Sequence, residues 1–80
     1  MIEPTSDRAF PDPRAVLSSR EVEVLEMTSR GLTNAQVAER LSVTVHAVKF
    51  HLASIYRKLG VSNRTEATVI YLRRAGAAEV

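Results

Sequence analysis

The chain has 80 residues, 45% of them hydrophobic and 25% charged, a formal net charge of +2 and no cysteine. That length holds one domain with a thin stability margin and excludes an extended active site with a large pocket, while ordinary apolar and charged fractions exclude a disordered polymer. The missing thiols exclude a disulfide framework and a thiolate metal site, and the lack of a signal peptide or a membrane-length apolar run predicts a soluble, cytoplasmic protein with no membrane partner.

Residues 1–16 carry all three prolines (Pro4, Pro11 and Pro13) and no helical period, which predicts a flexible arm or linker remnant ahead of a domain over residues 17–80. Ser18-Ser19-Arg20-Glu21 has the spacing of a capping box, in which the serine hydroxyl and the glutamate satisfy each other's orphan amides. The helix behind it turns Val24, Leu25 and Thr28 inward, with Leu17 as an apolar anchor, and stops at Gly31. Thr33-Asn34-Ala35-Gln36 is a second capping box, opening a short helix with Val37, Ala38 and Leu41 inward. Thr44 caps a third helix, from about Val45 to Leu59, that ends at Gly60. Asn63-Arg64-Thr65-Glu66 opens a fourth, predicted to run to about Ala75 and stop at Gly76. No segment alternates with a period of two, so the fold is read as all-α: four helices with very short connections.

Charge divides the chain. Residues 1–43 hold five Arg against seven Asp and Glu, a net of −2, and residues 44–80 hold six Lys and Arg against Glu66 and Glu79, a net of +4. A basic C-terminal half attracts a polyanion, although a solvated helix face can be basic for no other reason.

The residues from Leu17 through Leu25, Gly31-Leu32-Thr33-Asn34, Val37-Ala38-Glu39-Arg40-Leu41, Val48-Lys49-Phe50-His51, Ile55-Tyr56-Arg57-Lys58-Leu59-Gly60-Val61 and Arg64-Thr65-Glu66-Ala67 follow one another at a recognisable spacing. Together they resemble the DNA-binding domain of LuxR-type, GerE-like bacterial transcription regulators, over about residues 17–75. The resemblance implies a four-helix helix-turn-helix fold, binding of double-stranded DNA as a dimer, and control of transcription. It also makes RNA polymerase a possible further partner. This chain departs from it at Ala47, where the family usually carries a threonine that faces a phosphate; the departure bears on one backbone contact.

The third helix makes its own case. At about 100° per residue, Val48, Leu52, Ile55 and Leu59 form a narrow apolar stripe that must face inward. The opposite face carries His46, Phe50, Ala53 and Arg57, with Lys49 on its flank. A large aromatic at the centre of a solvated face needs a partner. On these residues alone two readings stand: Phe50 covers the core from a rotated helix, or Phe50 and Ala53 meet base edges in a major groove, where thymine methyls offer apolar contact. The family resemblance favours the groove. His46, Lys49, Phe50, Ala53 and Arg57 are then the expected base contacts, with Lys49 and Arg57 able to reach guanine acceptors or phosphates.

Thr33, Asn34, Thr44, His51 and Lys58 are the expected phosphate contacts; the second helix's amide end can meet a phosphate, though Thr33 and Asn34 can equally be caps alone. His51 is read as a packing or phosphate-edge residue. Glu21 is either an N-terminal cap only or also the ion-pair partner of a basic residue such as Arg64. On the fourth helix Ala67, Ile70 and Tyr71 share an inward face, which leaves Thr65, Thr68, Val69 and Leu72 for a two-fold dimer contact, or simply for solvent.

Nothing points to catalysis or to a cofactor. His46 and His51 lie about 140° apart around one helix and cannot share a metal. Ser18, Ser19, Ser42, Ser54 and Ser62 form no nucleophile arrangement, and no glycine-rich phosphate loop exists. The competing class is a helical protein-interaction module acting on another regulator or on polymerase, against which the basic outward face of the third helix argues.

Overall fold

The computed structural model describes residues 12–79, with side chains through Arg74. Five helices follow in order: α1 (Pro13–Val16), α2 (Ser19–Ser29), α3 (Asn34–Leu41), α4 (Val45–Leu59) and α5 (Arg64–Glu79), with no strand among the described residues.

The caps form where the residue types place them. Ser18 Oγ accepts from the Glu21 amide at 3.1 Å while Glu21 Oε1 accepts from the Ser18 amide at 2.9 Å. Thr33 and Gln36 make the same reciprocal pair at 3.1 and 2.8 Å. Thr44 Oγ1 accepts from the Ala47 amide at 3.0 Å and starts α4. At the start of α5, Asn63 Oδ1 accepts from the Glu66 amide at 2.9 Å, whereas the Glu66 carboxylate reaches one residue further back, to the Ser62 amide at 2.7 Å. Gly60 ends α4 in the left-handed region at φ +73°, where a Cβ would be strained.

Two expectations are corrected, and one helix end carries no sequence signal. Pro13–Val16 is a helical turn, capped by Asp12 Oδ1 on the Arg14 amide at 3.0 Å, with Pro13 buried; proline at the first helical position loses no hydrogen bond there. The rest of the expected arm, residues 1–11, lies outside the described residues. Helix α5 does not stop at Gly76 but continues to Glu79; a single glycine costs a helix only about 1 kcal/mol. And α3 ends on Ser42, a non-glycine residue at φ +57°.

Helix α2 packs on all four other helices, and α3 and α4 pack on each other across the turn at residues 42–44. The core is the one the periodicity indicates. Val24 and Leu25 of α2 meet Val37 and Ala38 of α3, the whole stripe Val48, Leu52, Ile55 and Leu59 of α4, and Ala67 and Ile70 of α5. Leu41 and Tyr71 are only half-buried at its edge. Thr28 is buried and donates its hydroxyl to the Leu25 carbonyl at 3.1 Å, so its burial leaves no polar group unpaired.

Candidate nucleic-acid interface

With its apolar stripe in the core, α4 turns the opposite face to solvent. His46, Lys49, Phe50, Ala53 and Arg57 are all exposed there, and α4 contains no acidic residue. Phe50 is 72% exposed. That removes the reading in which its ring covers the core. Among the described residues its ring neighbour is the half-buried His51, edge-on at a centroid distance of 6.5 Å and 66° between planes.

The residues expected on phosphates occupy two settings. Thr33 and Thr44 are exposed at the starts of α3 and α4, but each hydroxyl is engaged as a cap. Asn34 is half-buried, and its Oδ1 accepts from Arg64 Nη2 at 2.6 Å. The same guanidinium donates through Nη1 to the Leu32 carbonyl at 3.0 Å, so Arg64 ties α5 to the start of α3.

Arg64 is therefore not the partner of Glu21. Leu32 lies beyond the end of α2, whereas Glu21 is in its first turn, about 12 Å of helix before the last residue Ser29. Glu21 instead receives Ser54 Oγ at 2.6 Å and Lys58 Nζ at 2.9 Å, both from α4. Only 5% of Glu21 is exposed. Burial pushes its carboxyl up, but hydrogen bonds from Ser54, the Ser18 amide and Lys58, with the Lys58 charge, outweigh burial and lower the pKa from 4.5 to about 2. Lys58, expected on a phosphate, is exposed but has its ammonium engaged by Glu21. Ser54 was missed in the sequence because a serine in mid-helix carries no signal; that it lies one turn before Lys58 is the only hint.

Helix α5 presents Thr65, Val69 and Leu72 to solvent, Thr68 being half-buried. Val69 is 43% and Leu72 54% exposed. Beside them Gly60, Val61, Thr65, Glu66, Val69 and Ile70 line an open groove of about 320 Å³. Tyr71, on the inward side, donates its hydroxyl to Glu26 at 2.9 Å, and burial together with that carboxylate raises its pKa. Among the described residues no group of three or more His, Asp or Glu could hold a metal, and no helix is long and apolar enough to cross a membrane.

Comparison with known proteins gives this geometry its relatives. Residues 15–71 match the luxR family of bacterial regulatory proteins. The chain is 41% identical over 66 residues to the nitrate/nitrite response regulator protein NarP of Escherichia coli (strain K12), covering 82% of this chain and 31% of that protein. It is 43% identical over 61 residues to the probable transcriptional regulatory protein SgaR of Hyphomicrobium methylovorum, covering 76% and 29%. With the transcriptional regulatory protein LiaR of Bacillus subtilis (strain 168) it shares 42% over 57 residues, covering 71% and 27%. The chain thus spans under a third of the length of each of these curated relatives. The chain is a DNA-binding, helix-turn-helix regulatory domain and belongs to the luxR family of bacterial regulatory proteins.

Proposed function

We propose that the domain binds double-stranded DNA sequence-specifically, with α4 in the major groove, and does so as a dimer through α5. The observation that carries the reading is the exposed Phe50, flanked by His46, Lys49, Ala53 and Arg57 on a helix face without acidic residues. Such a face suits a groove that offers thymine methyls and guanine acceptors between two rows of phosphates. Ala53 is small enough for the helix backbone to come close. Thr33 and Asn34 at the start of α3, Thr44 at the cap of α4 and His51 on its flank are assigned to the phosphate backbone, where contacts position the protein and carry no sequence information.

Dimerisation rests on Val69 and Leu72, apolar residues that α5 leaves in water after its other face is buried. A two-fold axis through Thr65, Thr68, Val69 and Leu72 would set two copies of α4 about one DNA turn apart, roughly 34–36 Å. The patch is small, so the free dimer is weak and two half-sites on one duplex promote it.

The test is fluorescence anisotropy with a labelled duplex at several salt concentrations. Each phosphate neutralised by a cation adds about −0.9 to the slope of log K against log salt, so binding at low salt should fall steeply as salt is added. A chain that binds no duplex at low salt refutes the reading and leaves the protein-interaction module as the better account.

A further inference from the structure

We propose that Glu21 is a positioning residue for base readout: by holding Ser54 and Lys58 it fixes the roll of α4 and keeps the Lys58 charge off the DNA backbone. The inference rests on the DNA-binding reading above and names a determinant of its specificity.

The face of α4 that meets the core is wholly apolar, and apolar burial is non-directional. By itself it tolerates small rotations about the helix axis. Ser54 and Lys58 lie one turn apart, about 40° and 80° round the helix from Phe50 and on the same side. Both bind one carboxylate, at 2.6 and 2.9 Å. That carboxylate is itself anchored, because its Oε1 also receives the Ser18 amide in the α2 cap. Directional bonds from a buried, fixed acceptor define the roll. The consequence for readout is large, since a side chain ending 5–6 Å from the axis moves by about 1 Å for a 10° roll.

The second effect is electrostatic. Cations on phosphates supply sequence-independent affinity, and contacts to base edges discriminate. A Lys58 released from Glu21 would stand on the flank of the same helix as Lys49 and Arg57, free to reach a phosphate. Held by Glu21, it does not add to non-specific binding.

The experiment measures salt slopes for the whole chain on two duplexes: one of random sequence, and one selected from a random library by the wild-type protein. In Glu21→Gln the amide oxygen can still accept from the Ser18 amide and the NH2 group can donate to the Ser54 hydroxyl, but the side chain no longer attracts the Lys58 charge. Its slope on the random duplex should steepen by about 0.9. Its preference for the selected duplex should fall at least about fivefold, the cost of one mismatched base pair. Adding Lys58→Met to Glu21→Gln should return the slope to the wild-type value. A Glu21→Gln chain that is folded by circular dichroism, with slope and preference unchanged, makes Glu21 a stabiliser only and overturns the proposal. Should that variant not fold, Lys58→Met alone decides. An unchanged slope supports the proposal, and a slope shallower by about 0.9 puts Lys58 on a phosphate and overturns it. A wild-type chain that enriches no sequence overturns the DNA-binding reading itself, which distinguishes that failure from this one.

Discussion

Protonating Glu21 should cost this domain a large part of its stability, and the pH at which the loss occurs follows from its surroundings. Its pKa falls from 4.5 to about 2 on folding. One unit is worth about 1.4 kcal/mol, so the ionised carboxylate contributes about 3 kcal/mol, against the roughly 5–15 kcal/mol that holds a typical domain together. Because the folded pKa is depressed, the unfolded chain binds the proton first. The contribution is whole above about pH 5, is lost as pH falls, and is about 2 kcal/mol smaller by pH 3. Urea denaturation followed by far-ultraviolet circular dichroism, at pH 7, 5, 4 and 3, measures it in the wild type and in Glu21→Gln. The other carboxylates titrate in both proteins and cancel in the difference. The wild type should exceed the variant at pH 7 by a margin that shrinks by about 2 kcal/mol at pH 3. A margin constant with pH would show that the contacts to Ser54 and Lys58 do not hold the charge, and the reasoning would fail.

Phe50→Ala should change which sequence is preferred, by roughly 1–3 kcal/mol at the affected base pair; a selection that returns the wild-type consensus would remove Phe50 from the bases. Leu72→Glu should keep the helical circular dichroism yet lose cooperative binding to a duplex with two half-sites, and unchanged cooperativity would move the dimer contact elsewhere. Thr44→Ala deletes the hydroxyl that receives the Ala47 amide, and should lower the urea stability by about 1 kcal/mol.

The features legible in the sequence were those decided within a few residues. Ser18 with Glu21, and Thr33 with Gln36, satisfy each other across three positions, so residue type and spacing suffice to predict the bonds. The stripe Val48, Leu52, Ile55 and Leu59 is set by the pitch of one helix, and the exposure of Phe50 and Leu72 follows from the faces those stripes leave over. Partner choice across the fold was not legible. Glu21 finds Lys58, 37 positions away in the chain, and not Arg64, because the crossing of α2 and α4 decides it. Asn34 shares its side chain with Arg64 for the same reason. The end of α3 at Ser42 escaped because a left-handed serine looks like any other, and Gly76 misled because a helix can carry one glycine.

The one-turn helix α1 bears on how this domain can be recombined. It touches α2, α4 and α5 together, buries Pro13, and its cap Asp12 sits 3.6 Å from Arg74 on the helix assigned to dimerisation. Family similarity begins only at residue 15, in the middle of this turn. A chimera joined there, with a sensory module grafted in front, would discard Asp12 and Pro13 and strip a surface from three helices at once. The junction belongs ahead of Asp12, so that whatever is grafted on pulls against a closed turn and leaves the core intact.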